Sequence, residues 1–254
     1  MDYVMAQYLE VNMIGMTLLL VMLFYSAGKR NISVKSEQPH FLRMLVCNIL
    51  ILAADNGIYL VRNHQTAGMV VLNHVCCMLF FTLHAWFACE WVLYVLTRLY
   101  PRFRAAKRQL FLLMLPALLN TAFAVTTPFT GLLYTINEEN VYHRGPLIWL
   151  STAAAVVYLL LSTVIVLREW RHATRSRKTV DYVILLLFPF LLMAANLLQM
   201  RFYGLSVVWI CSAMLMIMIF VDVMNDQLTR DRMTGIYNRG QMNAQLQWEA
   251  GHLD

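Results

Sequence analysis

Apolar residues run along this chain in long blocks, and polar residues gather in short clusters between them. A hydrocarbon core about 30 Å thick takes roughly 20 helical residues to cross. Seven stretches meet that length, 8–27, 41–61, 68–97, 109–127, 146–167, 182–200 and 204–224, and they predict an all-α membrane protein built as a seven-transmembrane-helix bundle. The first stretch is read as a helix and not as a secretory signal, because Asp2 and Glu10 stand where a signal would carry basic residues. Pro116 and Pro189 fall inside the fourth and sixth spans and predict kinks that neighbouring helices can absorb. The connection 128–145 reads PFTGLLYTINEENVYHRG. Its "LYTI" and "VYHR" flank the polar run Asn137 to Asn140, which fits a small β-hairpin and fits equally an irregular loop whose Tyr134 and Tyr142, with Trp149, mark the lipid interface.

Composition agrees with the pattern. Hydrophobic residues make up 60% and charged residues 13%, with a mean hydropathy of +0.58, whereas soluble domains are about a quarter charged. The net charge of +6 would suggest nucleic acid in a soluble protein, but in a membrane protein the location of the cations matters more. Alternate connections divide the 20 Lys and Arg into two sets: Arg62, Arg144 and Arg201 on one side, and the other 17 on the opposite side. The bias predicts an amino terminus outside and a carboxyl terminus in the cytoplasm, as an odd number of spans requires. The bilayer, and no nucleic acid, is the expected partner. Cys47, Cys76, Cys77, Cys89 and Cys211 all lie in apolar spans with no metal-type spacing, and are read as packing residues.

An ionised residue at the bilayer centre costs about 2.5–3.5 kcal/mol on insertion scales, so each one needs a reason. Asn48, Asp55 and Arg62 follow at seven-residue steps in the second span, with Tyr59 one turn beyond Asp55, and share nearly one helix face. Two readings stand side by side: a ligand- or proton-responsive seam, and a structural hydrogen-bond network. The third span carries Asn73, His74, His84 and Glu90, and pairing of His84 or Glu90 with Asp55 or Arg62 is one arrangement these residues could take. Asn120, Asn196 and Gln199 are candidates for interhelical hydrogen bonds. His74 and His84 sit about 80° apart on one helix, a poor pair of haem ligands. The last span lacks the lysine a retinal Schiff base needs.

Beyond the last span, Met224 and Leu228 keep an apolar spacing among polar neighbours, which fits a short parallel coiled coil or a frayed juxtamembrane helix. The segment "RDRMTGIYNRGQM" follows. Asp231, Thr234, Gly235, Asn238 and Arg239, with Met233 and Ile236 at apolar positions, resemble the opening signature of the GGDEF domain, the diguanylate cyclase module. Thr234 and Gly235 suit a turn and Asn238 suits an N-cap. The bundle itself is similar in topology, and in the loops "YHRGPLIWL" and "RFYGLSVVWI", to seven-helix sensor regions ahead of bacterial histidine kinases and GGDEF enzymes.

The resemblance implies a sensor domain over 1–226, and a signalling linker with a truncated start of an α/β GGDEF domain over 227–254. It implies a bacterial inner-membrane sensor that regulates condensation of two GTP into cyclic di-GMP, a homodimer, and an unknown small ligand or physical stimulus. The metal carboxylates and the Gly-Gly-Asp/Glu-Glu-Phe hairpin of the family lie beyond Asp254. No cofactor or metal is therefore expected in this chain, and GTP and Mg are expected only for the cyclase domain. The competing reading is a transporter or channel whose path is lined by Asp55 and its neighbours.

Overall fold

The structure is a computed structural model that describes residues 3–28, 37–100, 103, 106–172, 179–201 and 207–229. Seven helices occupy the apolar blocks: α1 (Tyr3–Gly28), α2 (Gln38–Leu60), α3 (Ala67–Leu99), α4 (Lys107–Thr130), α5 (Ile148–His172), α6 (Thr179–Arg201) and α7 (Val207–Thr229). All seven are long and apolar enough to cross a membrane. Their ends depart from the expected spans by at most five residues, because hydropathy marks the bilayer while backbone hydrogen bonding lets a helix run on into polar flanks. The chain divides into two units, Met1–Met214 and Leu215–Asp254. In the second, 215–229 are the distal part of α7; the Asp231–Arg239 motif lies outside the described residues, as does the side-chain packing at Leu228.

Every residue of α3 from Phe87 to Val95 is buried, which places this helix at the centre of the first unit. It packs against α2, α4 and α5, while α1 lies on α2 and α6 on α5. Small residues make the closest approaches possible. A Cβ on Gly57 of α2 would meet the Cys76 sulfur of α3 at 2.5 Å, and Ala85, Ala88 and Cys89 of α3 mesh with Ala117 of α4 and Ala155 of α5. The outer faces stay apolar and uncovered, as at Phe24, Phe111, Val164 and Leu197, and suit contact with acyl chains. The five cysteines are free thiols, buried or half-buried.

The kink expected at Pro116 has a specific partner. Proline disrupts the helical ladder around it, and the Tyr158 hydroxyl of α5 enters the gap: it donates to the Leu113 carbonyl (2.7 Å) and accepts from the Ala117 amide (3.1 Å). Both backbone groups are thereby satisfied where no water can reach them.

The connection after α4 is the hairpin and not an irregular loop. Gly131, in the left-handed region at φ 66°, ends α4. β1 (Tyr134–Ile136) and β2 (Tyr142–Arg144) then pair antiparallel with Tyr134 opposite Arg144 and Ile136 opposite Tyr142. Gly145 closes the base by an amide bond to the Leu133 carbonyl at 2.9 Å, where a Cβ would lie 2.5 Å from the Leu132 oxygen. The tip is locked by Asn140, fully buried at φ 58°. Its Nδ2 donates to the carbonyls of Val61 and His64, both at 2.9 Å, and its Oδ1 accepts from Asn73 Nδ2 at 2.8 Å. The hairpin is thus fastened to the end of α2 and the start of α3.

A candidate sensory cavity at the hairpin end of the bundle

Where the hairpin meets the helices, the first unit holds a partly open cavity of about 200 Å³. Asp55 and Tyr59 reach it from α2 and Arg62 from the turn just past that helix, in line with their spacing of four and then three residues, and His84 reaches it from α3. Four of the six candidate site residues therefore meet at one place. Tyr142 and Arg144 enter from the hairpin, Gln199 from α6 and Trp209 from α7.

Asp55 is 7% exposed, and its burial is matched by partners on α1. The Tyr8 hydroxyl donates to its Oδ2, as does Asn12 Nδ2 at 3.1 Å, while the same Asn12 nitrogen reaches Asn56 Oδ1 at 2.9 Å. The Tyr8 and Tyr59 rings lie 4.1 Å apart above this network. Sequence reasoning missed Tyr8, Asn12 and Asn56. A signal existed: Tyr8 and Asn12 stand one turn apart on the first span, and Asn12 is an amide within an apolar run.

Arg144 spans two elements. Its two terminal nitrogens donate to the carbonyls of Gln199 (2.8 Å) and Met200 (3.1 Å), the last turn of α6, so its charge meets the negative end of that helix. Trp209 fills the inner wall. Phe80, His84 and Phe87 of α3 present their rings nearly perpendicular to it at 5.9, 5.3 and 5.8 Å. The indole N–H is buried and has no hydrogen-bond partner among the described residues.

The other two candidates lie away from the cavity. Asn48, two turns earlier on α2, is fully buried and donates to Ser212 Oγ of α7 at 2.6 Å; that hydroxyl in turn donates to the Trp209 carbonyl at 2.8 Å. Glu90 sits toward the opposite end of the bundle and pairs with Arg43 (2.8 Å) and His40 (2.7 Å), instead of with Asp55 or Arg62. The reason is directional: α2 and α3 run antiparallel, so a residue late in α3 meets the start of α2. Glu37 and Arg98 pair at 3.2 Å by the same logic. Asn73 and His84 share a helix but serve different places, the hairpin lock and the cavity. Asn120 bridges helices through the Phe81 carbonyl (2.7 Å), and Gln199 Oε1 accepts from the Val208 amide (3.4 Å), whereas Asn196 bonds back to Leu192 of its own helix (3.0 Å).

Outside the spans, burial holds the Tyr134 phenol well above its ordinary pKa, and its ring stacks on Phe81 at 5.8 Å. Tyr134 is thus a neutral packing element between the hairpin and α3. The arrangement as a whole is suited to binding. Its polar groups are anchored by partners on different helices, so a bound molecule would act on several helices at once.

The family model for the N-terminal 7TM region of histidine kinase matches residues 11–230. No curated protein and no solved structure matches the chain.

Proposed function

We propose that this chain, which belongs to the family of N-terminal 7TM regions of histidine kinases, passes a stimulus bound in the hairpin-end cavity to a cytoplasmic diguanylate cyclase. Membership makes it the seven-helix sensory input region of a multi-pass membrane signalling protein. The observation that carries the finer reading is the position of α7. Trp209 forms the inner wall of the cavity and Ser212, less than one turn on, bonds to α2, so the helix that leads toward the Asp231–Arg239 segment begins at the site itself.

The mechanism is linkage. A ligand that fits one setting of α7 better than another shifts the population by its differential affinity and by nothing else. The distribution of cations supports an exterior hairpin end and a cytoplasmic carboxyl terminus. The likeness of Asp231–Arg239 to the GGDEF opening supports a cyclase that works as a homodimer in a bacterial inner membrane, with GTP and Mg bound by the output domain alone. The family's own description favours a second output, a histidine kinase.

Membranes carrying the whole gene product, incubated with labelled GTP and separately with labelled ATP, distinguish the two. Cyclic di-GMP is expected, at a rate that Trp209→Ala changes several-fold. Acid-labile protein phosphate without cyclic di-GMP would establish the kinase output instead. A cysteine placed at Glu138, in the hairpin turn, is expected to react with a membrane-impermeant maleimide in intact cells. Reaction only after lysis would reverse the orientation.

A further inference from the structure

We infer that the cavity takes a small organic acid, a carboxylate carried on an apolar or aromatic body; this rests on the reading of the cavity as the stimulus site. The inference comes from what the lining has left over. Asp55 is the lining's carboxylate, and its Oδ2 already accepts from Tyr8 and Asn12. Three further lining residues offer donors. The Arg62 guanidinium has no hydrogen bond or ion pair with a described residue. The Gln199 carboxamide uses its oxygen on the Val208 amide, and its NH2 has no partner among the described residues. The Trp209 indole N–H is buried without a partner among the described residues, and a ligand reaches it only by turning the ring.

A ligand that completes this set brings acceptors and negative charge, the reverse of what an aromatic cage with a spare carboxylate would select. Arg62 supplies the planar donor fork that suits a carboxylate. The carbonyl end of α6, which would repel an anion, is already covered by Arg144. Phe80, Phe81 and Tyr142 provide an aromatic wall for the body of the molecule, with the Phe81 and Tyr142 planes 28° apart. The volume of about 200 Å³ lies below the roughly 300–1,000 Å³ of pockets for drug-sized ligands, which limits that body to a few fused or linked carbons beyond one ring.

Such an acid can arrive from water or from the bilayer, and two probes separate the sources: indole-3-acetate and octanoate. Binding to the full chain in nanodiscs is measured by calorimetry for each acid, for its alcohol analogue, and for its amine analogue. At least one acid is expected to bind about tenfold or more tighter than both analogues. Arg62→Gln is expected to erase that preference, a loss of about ten- to a hundredfold for a charge-assisted pair, and Arg62→Lys to retain part of it. Arg62 is exposed, so neither change threatens folding. Thr152→Trp, which fills the cavity from α5, is expected to abolish binding. Preference for indole-3-acetate identifies a water-borne source, and preference for octanoate a membrane source. Equal or tighter binding of alcohol or amine, no binding of either acid, or acid binding that survives Arg62→Gln or Thr152→Trp would overturn the inference. The outcomes for the sensory reading are separate. Acid binding with the expected selectivity but no change in nucleotide output would remove the stimulus role and leave the ligand class standing.

Discussion

Replacing Asn140 by Asp tests the hairpin lock with a change of one atom. Asn140 sits in the left-handed region, at φ 58°, which Asp tolerates about as well as Asn, so backbone strain is held constant. The acceptor oxygen toward Asn73 is kept. What is lost is the Nδ2 donor to Val61 and His64, and in its place a carboxylate oxygen faces two carbonyls 2.9 Å away. Two hydrogen bonds at about 1 kcal/mol net each, with two carbonyls left unpaired at a buried tip, come to about 3 kcal/mol, which is roughly a hundredfold in an opening equilibrium. The amides of Asn137, Asn140, Gly145 and Leu147, all bonded within the hairpin and its base, report that opening by hydrogen exchange. They are expected to exchange about a hundredfold faster, with partial recovery at acid pH as the new carboxyl takes a proton and can donate once. Asn140→Gly, which keeps the backbone angle and brings no charge against the carbonyls, should speed exchange less. Exchange within threefold of the parent protein for Asp, or a larger effect for Gly than for Asp, would refute the lock.

Gly57→Ala is expected to destabilise by about 1–3 kcal/mol through the 2.5 Å approach to the Cys76 sulfur. In a Cys76→Ala background the next contact is ordinary at 3.6 Å, and the same change should reverse sign and stabilise by about 0.5–1 kcal/mol, read as midpoint shifts in detergent unfolding. Tyr158→Phe is expected to cost about 1–3 kcal/mol by stranding the Leu113 carbonyl and the Ala117 amide; in a Pro116→Ala background, where the ladder can re-form, that cost should fall by at least 1 kcal/mol, and additive effects would show that the hydroxyl does not serve the proline. The Tyr100 phenol donates to Glu169 at 2.7 Å, and that bond, ahead of its burial, holds its pKa above the ordinary phenol value. A raised acid favours the protonated form when folded, so its contribution is complete below about pH 10 and is lost above it. Tyr100→Phe should remove one phase from above the ordinary phenol range of the absorbance titration and lower stability slightly at pH 7, a difference that vanishes above that range.

The seven spans were legible because their signal is additive over about twenty positions and needs no partner. The α2 face was legible for a related reason: periodicity alone places Asp55, Tyr59 and Arg62 together. What periodicity cannot supply is the partner. Asp55 carried its own warning as an ion within a span, yet its donors Tyr8 and Asn12 come from a helix more than forty residues away. Glu90 carried the same warning, and its partners follow only once α2 and α3 are known to run antiparallel, which brings Arg43 and His40 beside it. Asn140 gave a weaker signal, since a turn asparagine is ordinary in sequence. Its role as a key depends on full burial, a property of the docked hairpin and of no local pattern.

These partners also decide which part of the first unit can respond to a ligand. α2 is fastened at both ends, by Asn140 at Val61 and His64 and by Glu90 at His40 and Arg43. Between those points it carries Asp55 at the cavity and Asn48 at α7 on one face. The first turns of α7 are buried, and their directional contacts are weaker. Trp209 meets three rings edge to face, each worth about 0.5–1.5 kcal/mol beyond burial, and the Asn48–Ser212 bond adds about 0.6 kcal/mol, the usual value between transmembrane helices. Burial aside, these directional contacts come to about 2–5 kcal/mol. One charge-assisted hydrogen bond from a ligand, about 1.5–3 kcal/mol, is of the same size, and full inversion of a one-to-ninety-nine equilibrium takes about 5.5 kcal/mol. Under the proposed linkage, one such bond moves α7 from one-to-ninety-nine to between roughly a tenth and three fifths in the favoured setting, and the clamped α2 beside it gives the bundle a direction in which to respond.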